Sequence, residues 1–294
     1  MLPYHPEGSI VSTPTPEAVA SAMDTGKILQ AYCYKCDESH NLYVDLGPIK
    51  GLIPREEAAL GMKEGSAKEI AILSRVGKAV SFRVSSLNDN GYAVLSRREA
   101  QAEAKAYFLR TLRPGDVIPA VVQNPASFGA FCDIGCGVTA LMRIDRCCIS
   151  RLTQSSDIFC AGQAIYAAVL SVDHSSGQIF LTGRELLGSW EENADQFRPG
   201  QTVTGTVRSI MPYGIFVELT PNLSGLAEYA PGCREGDCVT VFLRAIQPDR
   251  HKIKLNILEK LPMGIQQLPL TYYISSGHID RWQYYPGSNA VTYF

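Results

Sequence analysis

The stretch Arg113-Pro-Gly-Asp116, followed by Ser127-Phe-Gly-Ala-Phe-Cys-Asp133, decides the fold. It returns as Arg198-Pro-Gly-Gln201, followed by Pro212-Tyr-Gly-Ile-Phe-Val-Glu218. Gly214 stands 85 residues after Gly129 (214 − 129), and the flanking residues keep that offset. Self-similarity at a fixed period makes the chain a tandem array. A fainter copy lies upstream, where Thr25-Gly-Lys27 leads into His40-Asn-Leu-Tyr-Val-Asp45 and then Gly51-Leu-Ile-Pro54.

Apolar residues alternate within each copy over short runs, as in Val117-Ile118, Val121-Val122, Ala130 to Ile134, Ile165 to Val172 and Ile179 to Leu181, punctuated by Gly, Pro, Asn and Asp. Period-2 segments with regular turn signals predict small antiparallel barrels of about five strands in roughly 75 residues, the strand count of an OB-fold. Arg97 to Arg110 is rich in Ala, Glu, Lys and Arg without Gly or Pro, which is helix-forming composition. Arg184 to Gln196 reads as its counterpart between the next two copies.

The expected fold class is therefore all-β: three tandem five-stranded OB-type barrels joined by short helical spacers, with an aromatic-rich C-terminal tail. The expected boundaries are a flexible leader at 1–23, a divergent barrel at 24–98, a spacer at 99–111, a barrel at 112–187, a spacer at 188–197, a barrel at 198–260 and the tail at 261–294. Tyr272, Tyr273, Trp282, Tyr284, Tyr285 and Tyr293 crowd that tail, and aromatics at such density dock. The expected dock is the third barrel.

At 294 residues the chain has room for two or three cores, and 46% apolar with 19% charged residues is ordinary globular usage. No apolar run reaches a membrane span, and the N-terminus lacks the pattern of a secretory signal. Nine cysteines without an export signal predict thiols rather than a disulfide framework. Cys33-x-x-Cys36 with His40 is short of the four ligands of a structural zinc site, so no metal and no cofactor is assigned. Net charge is −2, which excludes a strongly basic coat for duplexes. Lys and Arg exceed Asp and Glu by 11 to 9 over residues 24–98 and by 8 to 6 over 198–260, and fall short by 5 to 6 over 112–187. A local basic groove is allowed, and a large positive face is not.

In a regular strand, Phe128 and Phe131 would point to opposite faces. Gly129 permits a bulge or a positive φ that turns both rings outward and leaves room for a ligand backbone. Tyr213, Gly214 and Phe216 have the same option. The bland reading is that the rings are core, but Val122, Ile134, Val207 and Leu219 already supply the core alternation. Paired exposed rings are stacking platforms for nucleic-acid bases.

These units resemble S1 RNA-binding repeats. The resemblance rests on Leu112-Arg-Pro-Gly-Asp-Val-Ile118, Phe128-Gly-Ala-Phe131, Ala168-Val-Leu-Ser-Val-Asp173, Leu95-Ser-Arg-Arg-Glu-Ala100, Phe197-Arg-Pro-Gly-Gln-Thr-Val203 and Tyr213-Gly-Ile-Phe-Val-Glu-Leu219. It covers about residues 24 to 260 and implies barrels that bind single-stranded RNA in translation. The family surface it implies has two aromatics beside a glycine, a histidine on the following strand, and an Asp followed by a basic residue near the last strand. The second unit matches through Phe128, Phe131 and Asp173, with Arg143 in the histidine position and Gln178 in the basic one. The third matches through Tyr213, Phe216 and Lys252, with Glu228 and Gln247 departing. In the first, His40, Asn41 and Tyr43 replace the motif, and Pro54 and Tyr92 depart too. Its Gly51-Leu-Ile-Pro54 and Leu95-Ser-Arg-Arg98 resemble the N-terminal repeats of the family, which implies docking to the ribosome.

No phosphate-binding GxxxxGK[ST] loop, HExxH or Gly-x-Ser-x-Gly elbow occurs, and the five histidines are scattered. The expectation is a non-enzymatic, cytoplasmic protein, monomeric when free, that binds mRNA and reaches the small ribosomal subunit through its first repeat. Its expected RNA contacts are Phe128, Gly129, Phe131, Arg143, Asp173, Tyr213, Gly214, Phe216 and Lys252. His40, Tyr43 and Arg55 are secondary candidates for RNA or docking. Two rivals are a non-ribosomal regulator built from the same barrels and a protein-interaction scaffold with degenerate RNA sites.

Overall fold

The computed structural model describes residues 2–8, 13–88, 92–262 and 270–294. The elements in order are α1 (Pro16–Thr25), β1 (Leu29–Cys36), β2 (Leu42–Leu46), β3 (Ile49–Ile53), α2 (Ile70–Leu73), β4 (Lys78–Leu87), β5 (Tyr92–Ser96), α3 (Arg97–Thr111), β6 (Val117–Ala126), β7 (Gly129–Asp133), β8 (Thr139–Arg143), β9 (Ala164–Asp173) and β10 (Gln178–Thr182). They continue as α4 (Trp190–Ala194), β11 (Thr202–Met211), β12 (Gly214–Thr220), β13 (Leu223–Ala227), β14 (Cys238–Gln247), β15 (Lys252–Lys260), β16 (Arg281–Gln283) and β17 (Val291–Tyr293).

The strands close into three five-stranded barrels, in the order β1-β2-β3-β5-β4, β10-β8-β7-β6-β9 and β11-β12-β13-β15-β14. Each barrel contains one parallel pair, with Leu52 beside Val94, Leu141 beside Phe180, and Leu226 beside Lys254. The alternation read from the sequence is the inside–outside alternation of these strands. On β14, Val239, Val241 and Leu243 are buried, and on β15 buried Ile253 and Leu255 alternate with exposed Lys252 and Lys254. Each such aliphatic side chain contributes about 1.5–3 kcal/mol when fully buried. Val122, Ile134, Val207 and Leu219 all lie in the core. Cys33, Cys132, Cys136, Cys147 and Cys148 are buried as small apolar side chains, while Cys233 and Cys238 are half-buried. Burial pushes the Cys33 thiol up to about 11 and that of Cys136 up to about 12.

Two compact units share the chain. The first holds residues up to Leu112 with Pro119–Val121 and Asp133–Thr139, and the second holds the rest. In the first unit the described residues of the leader, 2–8 and 13–23, make specific contacts. Thr15 caps α1 by accepting from the Ala18 amide, and Val19 and Ala22 enter the core of the first barrel. Glu7 is buried against Arg97 (2.7 Å) and Arg75 (3.2 Å), and its carboxylate also accepts from the Ser81 amide. Burial works to raise its pKa, but the two guanidiniums outweigh it and hold the carboxyl below its ordinary value. The Glu7 amide donates to Asp133, whose own pKa is raised to about 7 by burial and by the charge of Glu7. These contacts are long in range: the partners of Glu7 lie 68 and 90 residues away in the chain.

Helix α3 is likewise more than a spacer. Ser96 caps it by accepting from the Glu99 amide, and Arg97, Ala100, Gln101, Ala104 and Phe108 form one buried face at helical spacing.

In the second unit the tail packs as expected. Trp282 and Tyr284 are each 8% exposed and belong to the core cluster that includes Val217 and Leu223 of the third barrel. The Tyr284 hydroxyl donates to the Asn222 carbonyl, and the Trp190 amide donates to the Tyr284 carbonyl. Residues Gly277 to Ile279 also run beside Gly115 to Val117: the Val117 amide donates to Gly277, and the Ile279 amide to Gly115. Gly264 and Pro269 of the tail lie outside the described residues. Within the same unit, the Ile149 amide donates to Asn222 Oδ1 (3.0 Å), the Ser150 amide to the Pro221 carbonyl, and Arg208 pairs with both Glu218 and Asp157.

Candidate nucleic-acid interface

The second barrel brings Phe128 and Phe131 to one surface. Strand β6 ends at Ala126 and β7 begins at Gly129, so Phe128 sits at the tip of the hairpin rather than inside a strand. Phe128 is 55% exposed, Phe131 is half-buried, and their centroids lie 5.7 Å apart at 84°. Ser155 holds the tip from beneath by donating to the Ala126 and Gly129 carbonyls at 2.8 and 3.0 Å. The Ile144 amide donates to the carbonyl of Phe128.

The third barrel repeats the arrangement. Tyr213 is 68% exposed at the tip before β12, Phe216 is half-buried on β12, and the centroids are 6.2 Å apart at 90°. Edge-to-face pairing is a favoured aromatic geometry, and it leaves ring surface free for a base.

The glycines take the positive φ expected of them, 155° at Gly129 and 149° at Gly214, but the room they leave is used differently. A Cβ on Gly129 would collide with the Met142 carbonyl and stand 2.9 Å from Arg143 Cα. One on Gly214 would collide with the Ala227 carbonyl. The space each glycine leaves is filled by the neighbouring strand, not held open for a ligand.

The supporting residues divide. Arg143 is exposed beside the platform strand and paired with Asp145 at 3.1 Å. Glu228, at the matching position of the third barrel, is 85% exposed and paired with Arg244. Lys252 is exposed on β15, opposite Gln247. Asp173 spends its carboxylate on the β9–β10 turn, accepting from the amides and hydroxyls of Ser175 and Ser176. Those hydrogen bonds hold its pKa well below the usual carboxylate range. Turn chemistry therefore accounts for Asp173.

Two positions escaped the sequence reading. Phe180 is half-exposed between buried Ile179 and Leu181, and it lies beside Leu141 of β8, the strand next to Phe131's β7 in the barrel. Lys254 holds the equivalent place in the third barrel, beside Leu226, which pairs with Phe216. The signal was present in the alternation, since a residue flanked by two core positions on a strand faces outward.

The first barrel builds its tip by other means. His40 takes a positive φ of 61° and faces Glu69 at 3.3 Å, and Glu69 also pairs with Arg55. Asn41 stands in the place of the glycine, and its side-chain oxygen accepts from the Arg55 amide at 3.0 Å. Asp37 accepts from the Asn41 side chain and from the Tyr43 hydroxyl. Among the described residues, no group of three or more His, Cys, Asp or Glu side chains is placed to hold a metal ion.

The chain is similar to bacterial bS1 proteins. The small ribosomal subunit protein bS1 homolog of Bacillus subtilis is 30% identical over 245 residues, covering 77% of this chain and 62% of that protein. The small ribosomal subunit protein bS1 of Leuconostoc lactis is 27% identical over 241 residues, covering 75% of this chain and 54% of that protein. The chain thus spans little more than half the length of these relatives. A solved multidomain protein with nucleic acid binding domains from Streptococcus pneumoniae superposes with a TM-score of 0.28 at 14% identity, over 79% of this chain and 73% of that one. No family model matches the chain.

Proposed function

We propose that this bS1-like chain binds single-stranded RNA through the outward faces of its second and third barrels, as a binding protein rather than an enzyme. The observation that carries the reading is the pair of rings repeated on matching hairpins, Phe128 with Phe131 and Tyr213 with Phe216. Stacking on such rings is worth about 1–3 kcal/mol per base and tolerates any base. Leu141 with Phe180 extends the platform in one barrel, and Leu226 with Lys254 in the other. Arg143, Lys252 and Lys254 are exposed cations for phosphates. Two modest sites on one chain then act as a stronger one.

The message held this way is mRNA, and the site of action is the small ribosomal subunit in the cytoplasm. The names of the relatives support that assignment, and the first barrel supplies a docking surface in the exposed apolar side chains Ile70, Leu73 and Val76. Among the described residues no helix is long and apolar enough to cross a membrane.

Anisotropy titration with labelled single-stranded and duplex RNA across a salt series tests the RNA reading. The expected result is tighter binding of the single strand, with a shallow salt slope suited to a chain of net charge −2. Equal affinity for both forms contradicts it. Co-sedimentation with small ribosomal subunits tests the ribosomal assignment, and absence from that fraction favours a non-ribosomal regulator.

A further inference from the structure

The first barrel lacks the aromatic-glycine-aromatic motif, yet it presents tyrosines on the same strands. In the third barrel Phe216 pairs across β11 with Ser209, and a bulge between Val207 and Ser209 leaves Arg208 as the extra residue. In the first barrel Tyr43 pairs with Lys35, and the bulge between Cys33 and Lys35 leaves Tyr34 in that place. The two bulges correspond strand for strand, but their residues do opposite things. Arg208 is turned in and clamped by Glu218 at 3.0 and 2.9 Å. Tyr34 is turned out, 44% exposed, with its ring 6.4 Å from that of Tyr43.

We propose that the first barrel carries its own single-stranded RNA platform, in which Tyr34 from the β1 bulge supplies the second ring beside Tyr43. The role given to Phe128 and Tyr213 at the hairpin tip has moved from His40 to the neighbouring strand. Tyr92 on β5 extends the surface, since it pairs with Lys50 of β3 in the row next to that of Tyr43 and Leu52. Two cations already lie over these rings: Lys35 Nζ is 5.4 Å from the Tyr43 centroid, and Lys50 Nζ is 5.9 Å from that of Tyr92. A base stacked on the rings would bring its phosphates to those ammonium groups.

The nearby carboxylates already have hydrogen-bond partners. Asp37 accepts from the Ser39 and Asn41 amides, the Asn41 side chain and the Tyr43 hydroxyl, while Asp45 accepts from the Gly47 amide and lies across from Lys50. The bond that the Tyr43 hydroxyl donates to Asp37 also fixes the Tyr43 ring, so little rotamer freedom is lost when a base arrives.

This proposal rests on the reading of the later barrels as RNA platforms, and its test separates the two. The full chain is photocrosslinked to an oligouridylate of roughly 24 nucleotides, long enough for three barrels at about 8 each, and the crosslinked peptides are mapped. Crosslinks within residues 29–46 are expected alongside those near Phe128 and Phe216, and they persist when both phenylalanines are replaced by alanine. Tyr34→Ala is expected to lower the affinity about five- to tenfold and to remove the β1 crosslink, with Tyr34→Phe restoring both. Circular dichroism establishes that the variants fold. Crosslinks confined to the second and third barrels, or a Tyr34→Ala chain that binds and crosslinks as the parent does, overturn the proposal while leaving the later platforms intact. Crosslinks to none of the three barrels overturn both.

Discussion

The later barrels and the first barrel solve the same local problem with different atoms. A hairpin tip must be tied to the start of the next loop. In the second barrel the Ile144 amide donates to the backbone carbonyl of Phe128, and Gly129 lets the neighbouring strand come close. In the first, the Arg55 amide donates to the Asn41 side chain, and the residue at the tip is a histidine at positive φ. The first solution leaves the tip free to carry an exposed ring. The second occupies it with polar bonding and shifts the available ring to a bulge one strand away. A fold can thus be kept while the surface that does its work is rebuilt.

The comparison is broken most severely at Glu7. Glu7→Ala leaves Arg97 and Arg75 buried without their shared carboxylate, and is expected to cost the first unit about 3–5 kcal/mol. Hydrogen exchange should show β1 to β5 losing protection while β11 to β15 keep theirs. Uniform loss across all three barrels would contradict a role for Glu7 confined to the first unit. The pH dependence follows from the same groups. Glu7 has a depressed pKa, so its contribution is present above the ordinary glutamate value and is lost as pH falls through the folded one. Asp133 has a raised pKa, so its contribution is present at low pH and declines as pH climbs to about 7. Chemical denaturation across pH should place the optimum of the first unit below neutrality, and Glu7→Gln should weaken the acid limb.

A smaller effect separates the hairpin tips. Gly129→Ala and Gly214→Ala each force a methyl group against a strand carbonyl at a positive φ, and should cost more than about 1 kcal/mol each in thermal or denaturant unfolding. Asn41→Gly in the first barrel removes two solvent-accessible side-chain hydrogen bonds, the one from the Arg55 amide and the one to Asp37, and should cost about 0.5–1.5 kcal/mol. Costs in the reverse order would mean that side-chain bonding, rather than close strand approach, dominates at the tips.

The smallest expected change concerns the unlike partners of the two later platforms. Glu228→Lys in the third barrel breaks only an exposed pair with Arg244, so stability should move by less than about 1 kcal/mol. Single-stranded RNA affinity should rise a few-fold at low salt, and the gain should fade as salt increases. Unchanged affinity would place Glu228 outside the RNA path.

Much of this was legible in the sequence for reasons that can be named. The constant spacing of Gly129 and Gly214 and the strand alternation gave three barrels, because side-chain period and turn chemistry are local properties. The ring pairs were legible for the same reason, although the purpose of the glycines was not: what a Cβ would strike at Gly129 is Met142, on another strand. The contacts of the leader were hidden because Glu7 finds its partners at Arg75 and Arg97, and nothing near Glu7 announces them. Tyr34 is hidden in the sequence because the position in register with the later tips is His40, while a bulge takes its residue out of register. Asp173 shows the converse: the resemblance makes it an RNA contact, while its own neighbours Ser175 and Ser176 engage its carboxylate in a local turn.

The central claim is that rings at the hairpin tips and on the strands after them hold single-stranded RNA. It is tested most directly by replacing Phe128 and Phe216 together with alanine in the full chain and measuring anisotropy with a labelled unstructured RNA. Loss of two stacks at about 1 kcal/mol or more each predicts at least a roughly 30-fold weaker Kd, with circular dichroism and duplex RNA binding unchanged. A double variant that binds the single strand as tightly as the parent chain would contradict it.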